Sequence, residues 1–166
     1  LTINSQTNPT CNGGTNGSIA VTASTGTSPY TYTLNGGAPQ ASGTFSGLAA
    51  GTYNVEASDF RGCSKNVIIT LTNPTALSAG TIGSAQTICY NTAPAAFTSV
   101  VNASGGSGSI VYQWQRDAGC VGTWVDIGGA TSATYTSGAL TQTTCFRRRA
   151  TDNCTSVYSN TITVTV

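Results

Sequence analysis

Six cysteines, Cys11, Cys63, Cys89, Cys120, Cys145 and Cys154, are the residues of this chain best equipped for chemistry. A thiol can attack a substrate, ligate a metal or oxidise in a pair, and its neighbours decide which. Histidine is absent, so a nucleophilic cysteine has no imidazole base. Zinc sites want C-x-x-C or histidine at short spacing, and the closest cysteines here are Cys145 and Cys154. What is left is oxidation in pairs, as in secreted scaffolds. The acidic residues are Glu56, Asp59, Asp117, Asp126 and Asp152, with no D-x-D-x-D spacing for calcium. At the Asp59 turn a single calcium held by backbone carbonyls is the alternative to a solvated turn aspartate. Glycoside hydrolysis needs two carboxylates facing a cleft, and Glu56 and Asp59 sit across a strand end as unrelated surface charges. The expectation is a protein that is not an enzyme, with no catalytic, cofactor-binding or metal site.

The elements that position these cysteines read as all-β. Charged residues make up 7 % of the 166, against roughly 25 % in ordinary domains. Threonine (30) and glycine (20) are abundant, and the net charge is +1. Disorder wants high net charge and few β-branched residues, whereas this mix favours pleated sheet. A field this weak gives no steering toward nucleic acid or acidic lipid. In Arg147-Arg148-Arg149, strand alternation sends Arg148 to the opposite face from its neighbours, so the triplet is not a basic patch. No apolar run approaches the eighteen or so residues of a membrane span. The chain opens in strand (Leu1-Thr2-Ile3) and closes in strand (Ile162 to Val166), which reads as a segment of something longer.

Two modules are expected, 1–74 and 75–166, divided at Asn73-Pro74-Thr75, because proline cannot donate to a ladder. In the first, Ile19, Val21 and Ala23 alternate, as do Tyr30, Tyr32 and Leu34, and Tyr53, Val55 and Ala57. Asn35-Gly36-Gly37 carries hairpin chemistry, since asparagine and glycine tolerate positive φ. In the second, Ile110, Tyr112 and Trp114 share a face, Thr134-Tyr135-Thr136 reads as a short strand, and Cys145–Ala150 and Asn160–Val166 close the sheet. Short strands with turn signals about every ten residues indicate β-sandwiches. Trp114 is expected as a core anchor, because its face-mates are Ile110 and Tyr112. Trp124 reads as core too, with an exposed sugar-stacking platform as the alternative for both. If each module is closed on itself, Cys11 pairs with Cys63, and the remaining four cysteines allow three pairings.

CNGGTNGSIAVTASTGTSPYTYTLNGG followed by FSGLAAGTYNVEASDFRGC resembles the SprB repeat of large surface adhesins of gliding Bacteroidetes. The pattern falls on Cys11, Asn16-Gly17-Ser18-Ile19, Pro29-Tyr30-Tyr32-Leu34, Leu48-Gly51-Tyr53 and Asp59-Gly62-Cys63, over roughly residues 8–73. The pieces QTICYNTAPAAF, YQWQ, TWVDIGGATSATYTSGALTQTT, FRRRATDNC and SNTITVTV resemble immunoglobulin-like modules of the same kind of protein, over roughly 84–166. Cys120 and Cys145 depart from that pattern. The resemblance implies that Cys89 pairs with Cys154, where such modules carry their only two cysteines, and that the added Cys120 and Cys145 pair together. Loops of this length imply roughly 4 kcal/mol of stabilisation per bond in the chain-entropy model.

The function implied is a structural repeat of a long cell-surface adhesin or extracellular filament, exported by type IX secretion and serving adhesion or gliding motility as a robust stalk. Its partners are neighbouring modules or copies, end to end, with Leu1 to Thr7 as a strand that could be lent to a neighbour. The alternative is a module that binds surface polysaccharide through exposed aromatics.

Overall fold

The computed structural model describes all 166 residues, Leu1–Val166, and every regular element is a strand. The chain forms two compact units, Leu1–Pro74 and Thr75–Val166.

Unit 1 contains β1 (Thr2–Thr7), β2 (Gly17–Thr22), β3 (Thr31–Leu34), β4 (Thr44–Leu48), β5 (Gly51–Ser58) and β6 (Ser64–Leu71). They form two three-stranded antiparallel sheets, β1-β2-β4 and β3-β5-β6. Each sheet turns its alternate residues inward. Ile19 and Val21 of β2 and Leu48 of β4 meet Tyr32, Val55, Ala57, Ile69 and Leu71 of the other sheet in one core. All six residues of β1 are exposed, so backbone bonds to β2 of the same unit hold that strand. Asn35 (φ 51°) and Gly36 (φ 72°) make the expected tight turn, and the chain returns through Gln40 against Tyr32. β3 then pairs with β5 rather than with β4.

Unit 2 contains β7 (Thr81–Gly83), β8 (Gln86–Thr87), β9 (Thr98–Val101), β10 (Val111–Ala118), β11 (Val125–Asp126), β12 (Thr144–Thr151), β13 (Ser156–Tyr158) and β14 (Ile162–Thr165). The main sheet runs β11-β10-β12-β14-β8 with β13 also on β12, and β7-β9 form a second sheet. Its centre is aromatic: Phe97 lies 4.6 Å from Phe146 and 5.8 Å from Trp114, ring centre to ring centre, with Tyr135 against all three. The expected strand at 134–136 shrinks to one bridge between Tyr135 and Phe97. Trp114 is fully buried, and its Nε1–H donates to Ser132 O (2.9 Å).

Candidate functional site

Within each unit the chain enters at one pole and leaves at the other. In unit 1 the start of β1 pairs with Thr22, and Ala23 N–H donates to the Tyr32 hydroxyl, beside the β5–β6 tip. The far pole gathers Thr7, Gly17, Leu48 and Leu71. A Cβ at Gly17 would lie 2.7 Å from Leu48 O and 2.9 Å from a Leu71 methyl, so glycine is required there. In unit 2 the entering segment meets the β9–β10 loop, with Gly106 N–H donating to Thr75 O (2.9 Å). The chain leaves where Val166 N–H donates to Thr143 Oγ1, next to the start of β12.

The entry pole is built the same way in both units. Ala-Ser-Thr-Gly-Thr (23–27) precedes Tyr32, and Ala-Ser-Gly-Gly-Ser (103–107) precedes Tyr112. Ala23 N–H donates to the Tyr32 hydroxyl (3.1 Å), and Ala103 N–H to the Tyr112 hydroxyl (3.0 Å). At the hairpin tip, Asp59 Oδ2 accepts from Thr27 N (2.9 Å) and Asp152 Oδ2 from Ser107 N (2.7 Å). The next amide returns the bond, Phe60 N–H to Thr27 O and Asn153 N–H to Ser107 O. Asp59 Oδ1 accepts from Arg61 N and Cys63 N, and Asp152 Oδ1 from Cys154 N and Thr155 N. Each carboxylate is thus occupied by backbone amides. The Thr27 amide first, then those of Cys63 and Arg61, hold Asp59 below its ordinary 3.8; the Ser107, Cys154 and Thr155 amides do the same for Asp152.

This geometry corrects two expected disulfides. Cys63 and Cys89 are free thiols, so Cys11–Cys63 and Cys89–Cys154 do not form. Cys63 stands at the entry-pole tip before β6. Cys11 lies at the exit pole, where Asn12 Nδ2 donates to Pro74 O (2.8 Å) and Asn8 bonds Thr72. The eight residues of β6 separate these poles by about 26 Å, whereas a disulfide needs Cα atoms roughly 4.4–6.8 Å apart. In unit 2, Cys154 follows β12, while Cys89 sits beside Thr165 and the beginning of β12, another eight residues away. Cys11 and Cys154 are each oxidised. Cys120 and Cys145 are joined, with Cα atoms 5.2 Å apart.

The arginine triplet divides as alternation requires. Arg148 is fully buried on the core face, donating to Ser99 Oγ (2.9 Å), Ala133 O (2.7 Å), Ala79 O (3.3 Å) and Val101 O (3.4 Å) over the Tyr112 ring. Burial pushes its pKa below the ordinary guanidinium value. On the outer face the Arg147 guanidinium lies between the rings of Trp124 (4.2 Å) and Tyr158 (3.9 Å). Trp124 therefore covers Arg147 and belongs to neither core cluster. Arg147 Nε donates to Gln115 Oε1 (2.7 Å), Gln115 Nε2 to Asp126 Oδ1 (2.6 Å), and Arg149 to Asp126 Oδ2 (3.0 Å). The Gln115 amide, and then the Arg149 charge, hold Asp126 below the usual carboxylate range. The terminal nitrogens of Arg147 are open to solvent and unpaired within the protein.

Sequence reading missed the repeated entry pole, although its signal was present in Ala-Ser-x-Gly-Thr/Ser placed five residues before a strand tyrosine in both halves. It also missed the outer stack, because no local pattern sets Tyr158 beside Arg147; the β12–β13 register does.

A chain of successive all-strand units carrying disulfide bonds belongs to the tandem β-module class. The family model of the SprB repeat matches residues 3–39, and that of a domain of unknown function, DUF8696, matches residues 78–166. The chain belongs to the DUF8696 family, with a SprB repeat ahead of that domain; the half that resembles immunoglobulin-like modules is the one this family covers. No curated protein matches the chain.

Proposed function

We propose that the chain is a pair of non-catalytic structural modules of a cell-surface or secreted adhesin, extending a stalk or filament away from the cell. The observation that carries this reading is the opposite placement of entry and exit in each unit. A pull along the chain shears the ladders lengthwise and loads their bonds together. The SprB repeat and the oxidised cysteines support an extracellular setting, with export by type IX secretion and a role in gliding or adhesion as the finer reading. Antibody against the chain should label thread-like structures on intact cells under the electron microscope. Label appearing only after permeabilisation would overturn the reading.

A second reading, binding of a surface polysaccharide, is favoured by the Trp124–Arg147–Tyr158 stack. Tyr158 is 47 % exposed and one face of its ring is occupied by Arg147. The unpaired guanidinium nitrogens suit a sugar carboxylate, and the rings suit the sugar's C–H face. Titration with oligogalacturonate should move the indole N–H resonance of Trp124 and leave that of buried Trp114 in place. If neither resonance moves, this second reading fails.

A further inference from the structure

Unit 2 holds a cavity of about 380 Å³ where β10 ends and β12 begins, a size within the roughly 300–1,000 Å³ of small-molecule sites. Arg116 stands two residues past buried Trp114 on β10, so alternation turns it to the core face, toward this hollow. Neither an acidic nor an aromatic side chain lines the cavity. The Arg116 guanidinium is exposed and unpaired within the chain. Arg148, on the same face of the sheet, gives its terminal nitrogens to four acceptors. Arg116 is therefore a positive charge beside a half-apolar hollow, with nothing in the chain to answer it. The walls are fixed. The Cys120–Cys145 bond ties the loop after β10 to β12, and Gly119 N–H donates to Thr143 O (2.8 Å). Leu140 is held on both sides, donating to Thr92 O (3.0 Å) and accepting from Asn91 N–H (2.8 Å).

We propose that this cavity is a binding site for an aliphatic α-amido carboxylate, the chemistry shared by N-acyl amino acids and peptide C-termini. Each part of that ligand has a counterpart in the wall. The carboxylate takes the fork of Arg116, which binds such a group through two parallel N–H bonds. Thr144, 3 % exposed, already spends its hydroxyl proton on Gln142 O (2.9 Å), so its oxygen is left to accept the ligand's amide N–H. Arg116 lies opposite Phe146 and Thr144 opposite Ala118, so the two are diagonal neighbours on one face, about 7–8 Å apart at the backbone. Ala118, Val125 and Leu140 supply the aliphatic surface for the side chain. The absence of a ring from the lining argues against a sugar, whose C–H face stacks on aromatics. The site is separate from both functions proposed above: Arg147 shares the outer face with Gln115, and Arg116 leaves from the other.

The test titrates the nitrogen-labelled full chain with N-acetyl-leucine and follows its amide resonances. Those of Thr123, Val125, Leu140 and Thr144 should move and saturate, while the indole resonance of buried Trp114 stays in place. N-acetyl-leucinamide, which lacks the charge, should bind about ten- to a hundredfold more weakly. R116Q should bring the acid down to the level of that neutral amide. Arg116 is exposed and unpaired, so this variant keeps its fold, which the remaining resonances check. A139F fills the hollow from an exposed wall position and should abolish binding in a folded chain. Absence of saturable shifts overturns the proposal. So does equal affinity for acid and amide, or an R116Q chain that binds like the parent, since the guanidinium would then play no part. N-acetylglycine binding as tightly as N-acetyl-leucine would overturn the aliphatic half of the assignment. Surface labelling of intact cells is independent of these results, so this site can fail while the stalk reading stands.

Discussion

The two units place different side chains on equivalent cross-strand positions. In unit 1 Tyr32 lies opposite Ala57 and Leu34 opposite Val55; in unit 2 Tyr112 lies opposite Ala150 and Trp114 opposite Arg148. Val55 and Arg148 are both fully buried, one apolar and one charged. The difference teaches that the backbone frame and its poles are the constant part, while the core chemistry is exchangeable if the incoming group is satisfied. Arg148 is tolerated because a hydroxyl and three carbonyls of the surrounding segments receive the N–H groups of its two terminal nitrogens, with Tyr112 beneath, although its Nε is buried without a partner. Around Val55 the core contacts are apolar.

The largest effect should come from breaking that comparison directly. V55R places a charge in an apolar site with no ready acceptors and should unfold unit 1, a loss of several kcal/mol, while unit 2 stays folded. Amide exchange resolved by unit would report it, and a folded unit 1 would mean that the two cores are more alike than their contacts indicate. Next, C120S/C145S should cost unit 2 about 3.5 kcal/mol, because the bond closes a loop of 25 residues of sequence separation. Unit 1, which no internal disulfide closes, should keep its urea midpoint. Smaller still, Y32F and Y112F each orphan one backbone amide at the entry pole and should cost about 1 kcal/mol apiece, similar in the two units. A cost in one unit only would break the equivalence of the poles.

The smallest effect is the acid response. The folded-state pKa values of Asp59 and Asp152 lie below the ordinary 3.8. Their contribution to stability is thus complete above about pH 3.8 and is lost as pH falls through the depressed values. Thermal midpoints of both units should drop on acidification in that range. D59N should flatten the response of unit 1 alone, and D152N that of unit 2 alone.

Much of this was legible in the residues. Alternation gave the strands around Ile19, Tyr32, Val55 and Trp114, and it sent Arg148 inward between two outward arginines. Pro74 marked the division because a missing N–H is a local property. The cysteine pairing was not legible. Closing each module on itself ignores strand length, and only the register of β5 on β6 and of β12 on β14 reveals that Cys63 and Cys11, or Cys154 and Cys89, stand a full strand apart. Trp124 misled for a related reason: an aromatic just ahead of a short edge strand looks like core until the cation it covers is known.

The account turns on which sulfurs are free, and alkylation of the unreduced native chain followed by peptide mass spectrometry reads that directly. Label on Cys63 and Cys89, with none on Cys11 or Cys154 and the Cys120 and Cys145 peptides still joined, is the predicted outcome. Recovery of a Cys11–Cys63 or a Cys89–Cys154 peptide would contradict the polar placement of these residues and the account built on it.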